Sequence, residues 1–485
     1  MTQTTVQPFD TFLIGGQWVS DDGRTQIPVT NPTTEETITS VSLATIEDAE
    51  RATTAAVTAF ASGPWTTMSY ADRAAYLDRV ADGFIARSEE LADIYVADQG
   101  GLRAFASFVN DQAVAIIRYY ADLGRRLPQG PQERTLPDRT VLINKLPVGP
   151  VLASVPWNAP TILAAVKFAP ALLAGCPVII KSDPQAPLAP RILGEILHAA
   201  QFPDGVVSLI VGGGDVGRYL VAHPAIRHVS FTGSTQVGRD VATSASANFT
   251  RLTLELGGKG ASIILDDIDP SEAIGLLYPG SLTYSGQVCT TSSRLLVPRS
   301  RYEEWRDALV TAFESFPVGD PNAPETLVGP LISEAQRSRV ETYIEGARQE
   351  GATILAGGGR PAGIATGYFV EPTLVGDVTP DMTIAREEVF GPVITLQSYG
   401  TEAEALAIAN STEFGLANVI ITNDVPHAVE LSARLVSGTV SINNFGSCLT
   451  EPFGGMGHSG IGREGGVEGF EAFLEYQQIQ LPAGQ

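Results

Sequence analysis

The chain has 485 residues, 44% of them hydrophobic and 18% charged, with a formal net charge of -23. It is long enough for more than one hydrophobic core and too apolar to stay unfolded, and its acidity repels nucleic-acid backbones and anionic lipid surfaces, so neither nucleic acid nor membrane is an expected partner. Cys176, Cys289 and Cys448 are too few and scattered for a disulfide framework, and no Cys/His group has metal-ligand spacing, so no metal is expected. The opening "MTQTTVQPFDTFLIGG" carries neither a basic nor an apolar leader segment, and no later apolar run reaches the ~18 residues of a membrane span. A cytoplasmic protein with reduced thiols is the expectation.

In chain order, "FLIGGQWV" reads as a hairpin turning at Gly15-Gly16, and apolar residues at helical spacing follow over 46–60, 71–98 and 105–123. Prolines and polar residues then surround one short strand signal, "TVLINKL", in an excursion from the main body. From Pro150 strands alternate with helices: "VLASV", "ILAAVKFAPALLAG", "PVIIK", "RILGEILHAAQ", "VVSLIVGG", "VGRYLVAH", "RHVSF", "QVGRDVATSA". That alternation predicts an α/β fold with a mainly parallel, Rossmann-like sheet, helices on both faces, and ligands at the carboxyl ends of the strands. After Gly257 the alternation restarts in "GASIILD", "SRLLVP" and "TVSIN", predicting a second α/β unit.

Gly212, Gly214 and Gly217 have G-x-G-x-x-G spacing after a strand, but the next strand, "RHVSF", ends in "TGST" without the carboxylate that holds a ribose in the dinucleotide fingerprint. The stretch is either a glycine turn beside a cofactor or a plain structural turn. "FTGSTQVG" ends a strand and opens a helix with Ser234 or Thr235 at the cap, which suits an anion such as pyrophosphate. "SVPWNAP" puts Asn158 after a strand, where its amide can point at a developing oxyanion. "LTLELGGKG" puts Glu255 in an apolar strand, where desolvation raises a carboxylate towards a useful base. "YSGQVCTTSSR" puts Cys289 between small residues that leave a thiolate accessible. Singly, these are equally a turn residue, a salt-bridge partner and a core thiol. Together they supply an oxyanion donor, a base and a nucleophile.

The stretches "VPWNAP", "FTGSTQVG", "LELGGKGAS", "GQVC", "EEVFGPV" and "PFGGMGHSGIGRE", in this order, resemble the aldehyde dehydrogenase superfamily over nearly the whole chain. The resemblance implies that Cys289 is the nucleophile, Glu255 the general base and Asn158 part of the oxyanion hole, with Lys167 and Glu475 as buried partners that relay a proton. It implies that Val155, Trp157, Lys181, Gly213, Gly217, Phe231, Gly233, Ser234, Leu256, Glu388 and Phe390 surround a dinucleotide. NAD is the first choice; Pro184 stands where many NAD-preferring members hold the adenosine ribose with a glutamate, which leaves NADP open. Gly457 stands where many members carry lysine. The implied organisation is a cofactor unit over 1–126 and 146–256, a catalytic unit over 257–455, and an oligomerisation arm over 127–145 and 472–485 that exchanges strands in a homodimer or homotetramer.

The implied reaction is oxidation of an aldehyde to a carboxylic acid through a cysteine thiohemiacetal and thioester. A CoA-acylating dehydrogenase is the alternative, against which Glu255 argues because CoA needs no base for water; a cofactor-independent cysteine hydrolase is another, and it has no use for Lys181, "FTGST" and "EEVFGP" together. Cys176 is expected in the core and Cys448, in a segment resembling the substrate-channel wall, partly exposed. Ala159 and Val166 are small where many members line the aldehyde tunnel with aromatics, although Phe445 lies nearby in sequence order, so a roomy tunnel is expected.

Overall fold

In the computed structural model, residues 9–20, 23–137, 139–446 and 448–482 are described; residues 1–8 of the expected cofactor unit and 483–485 of the expected arm lie outside them. The strands Val207–Val211, Val178–Ser182, Val151–Val155, His228–Thr232 and Arg251–Glu255 lie side by side in that order and run parallel. Val178–Ser182 and Val207–Val211 are buried at every position, as strands covered by helices on both faces must be. The helix Pro160–Ala174 starts on a proline, whose missing N–H costs nothing there, and stops at Gly175 with φ of 102°. A Cβ on Gly175 would lie 2.6 Å from Nη1 of Arg73, so the cap is a steric as well as a conformational requirement.

The hairpin Thr11–Ile14 and Gln17–Ser20 turns at Gly15 and Gly16 and adds to one edge of this sheet, while Gly460–Ile461 pairs antiparallel with Leu254 and Glu255 at the other. Strand order reverses between Val151–Val155 and His228–Thr232, and such a reversal opens a crevice at the carboxyl ends of the two strands. The turns leaving them carry Trp157-Asn158 and Gly233-Ser234.

A second sheet takes the order Thr353–Ala356, Thr373–Gly376, Val393–Tyr399, Ser292–Pro298, Gly260–Ile264, Ala417–Ile421, Thr439–Ile442. The chain enters it directly from the first sheet through residues 256–259. The stretch 71–98, which reads as one helix, is two: Tyr70–Ala86 and Ser88–Gln99, parted at Arg87, whose guanidinium is drawn to Glu90 and Glu195. The excursion near residue 130 is a hairpin, Gln132–Leu136 with Arg139–Pro147, and Leu474–Gln480 pairs with Arg139–Pro147 within the same chain.

Gly460 has φ of 143° and a Cβ there would run into the Leu254 carbonyl oxygen. Gly460→Ala is expected to lower unfolding free energy by about 1–3 kcal/mol, read as a lower urea midpoint at unchanged slope; an unchanged midpoint would contradict the register of Gly460 on Glu255.

Candidate active site

Glu255 is the last residue of its strand and is buried, with neither carboxylate oxygen hydrogen-bonded among the described residues. Burial pushes its carboxyl well above the usual range, the Glu464 carboxylate adds to the rise, and the Lys167 ammonium opposes it. Beyond it the backbone is closely covered: a Cβ on Gly257 would lie 2.5 Å from Oε2 of Glu388, and one on Gly258 would strike the Cys289 carbonyl oxygen, which leaves no room for a side chain at Gly258. The crossing between sheets therefore presses the Glu255 strand against the loop that carries Cys289. From the first sheet's crevice, Nδ2 of Asn158 donates to the Gln287 carbonyl at 3.0 Å, tying the expected oxyanion donor to that same loop.

Cys289 retains some exposure as a residue, yet its thiol sits in a low-dielectric pocket and is pushed up to about 12, by burial first and then by the Glu388 and Glu255 carboxylates. The N–H groups of Cys289 and Thr290 work against that rise, which places main-chain donors at the sulfur. The resting group is thus a protonated thiol, where the sequence suggested an accessible thiolate. Cys176 is buried, its thiol likewise raised to about 12 by burial, and Cys448 is exposed, as expected.

The expected Lys167–Glu475 pairing does not exist. Lys167, fully buried, pairs with Glu464, and its Nζ donates to Oγ of Ser230 at 3.1 Å while that hydroxyl donates to Oε1 of Glu464 at 2.8 Å. Glu475 lies half-exposed on the strand Leu474–Gln480, which is open to solvent over most of its length, and pairs at the surface with Arg251. The signal for Glu464 was in "GIGRE": a lone acid among glycines is free to turn inward, and a buried lysine requires an anion.

The residues expected around a dinucleotide gather at the carboxyl edge of the first sheet and across from it. Ser234 caps the helix Thr235–Ser246 by accepting from the Val237 N–H, which leaves the other first-turn N–H groups free. Val155 ends its strand; Phe231 packs so that a Cβ on Gly233 would lie 2.5 Å from its ring, and Leu256 underlies Gly238 of the capped helix. Gly213 is the N-cap of Gly214–Ala222, with Gly217 in that helix. Lys181 is 8% exposed and makes no hydrogen bond or ion pair among the described residues; burial lowers its ammonium, with Asp183 and Asp215 opposing. Trp157 meets the Phe390 ring edge-on at 5.5 Å. Glu388 accepts the Gly258 N–H at 3.0 Å and is raised to about 7 by burial.

Of the two small residues expected on a tunnel wall, Ala159 keeps exposed surface but Val166 does not: it is packed in the first sheet's core, where its helix is buried all round from Ala164 to Ala174. Phe445 rests on Gly280 of the helix Pro270–Ser281, whose missing Cβ makes room for the ring. Sequence reasoning missed Lys259, fully buried beside Cys289's loop and lowered to about 7 by burial and by Arg294, and Ser459, whose hydroxyl donates to the Gly257 carbonyl at 2.7 Å.

Two outcomes follow. In cofactor-free protein, iodoacetamide labelling of Cys289 should stay slow at pH 7 and climb about tenfold per pH unit into the alkaline range, with exposed Cys448 labelling readily as the internal reference; a Cys289 inflection near the ordinary thiol range, read by peptide mass spectrometry, would contradict the pocket's polarity. Lys167→Met should cost about 3–5 kcal/mol in urea unfolding because it strands a buried Glu464 charge, and Glu475→Gln less than about 1 kcal/mol. Equal costs would contradict the pairing.

Residues 18–479 match the family model described as "Aldehyde dehydrogenase family". Similar curated proteins include geranial dehydrogenase of Castellaniella defragrans, 39% identical over 97% of this chain and 98% of that one, and betaine aldehyde dehydrogenase 1 of Oryza sativa, 37% identical over 96% and 94%. Among solved structures, an aldehyde dehydrogenase of Mycobacterium tuberculosis complexed with NAD+ superposes with a TM-score of 0.96 at 38% identity, covering 99% of both chains. A betaine aldehyde dehydrogenase of Staphylococcus aureus, in complex with NAD+ and carrying a modified cysteine, does so with 0.95 at 35%, covering 98% of this chain and 96% of that one. The chain belongs to the aldehyde dehydrogenase family.

Proposed function

We propose that this protein oxidises an aldehyde to the carboxylic acid with NAD, using Cys289 as nucleophile. The observation that carries the reading is the meeting, at the joint between two sheets, of a thiol, an amide anchored by one N–H and a buried carboxylate without hydrogen bonds. The residues present fit NAD: Lys181 is a nearly buried ammonium with no partner among the described residues, suited to ribose hydroxyls, and the first-turn N–H groups behind Ser234 suit pyrophosphate. Trp157, Glu388 and Phe390 complete its surroundings. NAD, when bound, serves as hydride acceptor.

The chain's own residues do the rest. Cys289 gives up its proton to water and its sulfur attacks the carbonyl carbon; the resulting oxyanion is held by the Asn158 amide and the Cys289 N–H. After hydride loss the thioester is opened by water, whose proton goes to Glu255. A carboxyl raised by burial is a stronger base once ionised, and Lys167 with Glu464 carries the proton onward. Water as acyl acceptor is favoured over CoA because Glu255 is a buried carboxylate that no side chain among the described residues engages by a hydrogen bond or ion pair, as a base for water would be.

The substrate we propose is a medium-chain, branched or aromatic aldehyde, since Ala159, beside Asn158, is partly exposed and carries only a methyl group, and a relative is named for geranial. We further propose a homodimer or homotetramer, supported by the strand Gln132–Leu136, exposed along its whole length, and by Phe249, 95% exposed. Among the described residues no helix is long and apolar enough to cross a membrane; with free cysteines at 176, 289 and 448, we place the protein in a reducing cytoplasm.

Cys289→Ala should abolish NADH formation, and Glu255→Gln should keep one fast turnover of NADH and then stall; near-native turnover in Cys289→Ala would overturn the mechanism. Across straight-chain aldehydes kcat/KM should rise from acetaldehyde by up to about fourfold per methylene, and Ala159→Phe should depress the larger substrates most. A flat ranking would contradict an open mouth at Ala159.

A further inference from the structure

The segment leading to Cys289 is held in an improbable shape. Tyr284, Ser285 and Gly286 take consecutive left-handed conformations, with φ of 50°, 54° and 73°. Residues with a Cβ keep such conformations only where the surroundings over-determine them. Here the Tyr284 hydroxyl donates to the Gln99 carbonyl at 2.8 Å and the Ser285 hydroxyl to the Gly329 carbonyl at 2.7 Å. The Tyr284 ring also stacks on Tyr95, with centroids 5.9 Å apart. Gly286 has no room for a side chain, because a Cβ would run into the Gly391 carbonyl.

Gln287 completes this arch from within. Its side chain is wholly buried; Nε2 donates to the Tyr284 carbonyl at 3.2 Å and Oε1 accepts the Ile332 N–H at 3.0 Å. The Gln287 N–H donates to the same Tyr284 carbonyl at 3.0 Å, so side chain and main chain grip one atom. What this grip leaves pointing outward is the Gln287 carbonyl, and that carbonyl accepts Nδ2 of Asn158 at 3.0 Å. One of the two N–H bonds of the Asn158 amide is thereby committed, the amide plane is fixed, and the second N–H is left for a ligand.

We infer that Gln287 is a positioning residue for the oxyanion site: its side chain locks the arch so that its main-chain carbonyl aims the Asn158 amide. The inference rests on the reading of Asn158 as oxyanion donor. Its physical basis is that a donor stabilises developing charge only if it is oriented before the charge appears, and an unanchored amide spends that advantage on reorientation. Met, similar in length but without either polar group, removes both side-chain bonds at little change in volume.

The test is a double-mutant cycle on the full-length enzyme with Gln287→Met and Asn158→Ala, reading kcat, KM, the Kd of NAD by protein fluorescence, and Tm. Asn158→Ala should lower kcat about 100-fold, and Gln287→Met about tenfold, with the NAD Kd within about twofold. In the Asn158→Ala background Gln287→Met should add less than about twofold, because no amide is left to aim. Tyr284→Phe, which removes one tether of the arch, should act in the same direction by a smaller factor and fall silent in the same background; it carries the cycle if Gln287→Met does not fold. Multiplicative losses in the double variants, or unchanged kcat in the single ones, overturn the inference. An unchanged kcat in Asn158→Ala overturns instead the oxyanion reading on which it rests.

Discussion

The site depends on how closely the chain passes from one sheet to the next. Arg251–Glu255 ends on the carboxylate and Gly260–Ile264 begins the second sheet, so residues 256–259 must cross with no slack. Gly257 and Gly258 make the crossing tight enough that Glu388 and the Cys289 main chain lie against it. Ser459 fastens it: its hydroxyl donates to the Gly257 carbonyl at 2.7 Å and accepts the Gly415 N–H at 3.0 Å, while its carbonyl accepts the Leu256 N–H at 2.9 Å. A side chain at Gly258 would meet the Cys289 main chain and push the crossing away from the loop that carries the thiol.

Closure at this joint sets the electrostatics. Burial is the leading cause of every displaced group around it: Glu255 and Glu388 upward, Lys259 downward, Cys289 upward to about 12. Such a pocket disfavours charge of either sign unless a partner compensates, as Glu464 does for Lys167. Unpartnered ionisable groups cost stability, and their concentration here is the mark of a functional site on which the proposed roles of Glu255 and Cys289 rest. Shielded from water, the pocket makes each oriented donor count for more, the Asn158 amide above all.

Much of this was legible in the sequence because its physical signals were local. The parallel sheet follows from runs such as "VIIKS", buried on both faces, and the Ser234 cap from a hydroxyl placed between a strand and a helix. Asn158, Glu255 and Cys289 each stood out as a polar or reactive group at the end of a strand or among small residues. What could not be read was pairing across long separations. Lys167 needed an anion, and the glycines of "GIGRE" allow Glu464 to turn inward, but only the fold shows that it does so while the strand "LEYQQIQ" leaves Glu475 at the surface. The arch at 284–287 was equally hidden, since left-handed backbone at Tyr284 and Ser285 is imposed by Gln99 and Gly329 and not by the residues themselves. Val166 was misplaced for a similar reason: its helix is covered on every side from Ala164 to Ala174, and that covering comes from segments distant in sequence.

The central claim, that Cys289 carries the acyl group and Glu255 releases it, is tested most directly by mass. Glu255→Gln protein mixed with NAD and hexanal, then quenched in acid, should retain one hexanoyl group per chain, mapped to the Cys289 peptide, in step with the NADH formed. An unmodified Cys289 peptide alongside stoichiometric NADH, or an acyl group on another residue, would contradict the account.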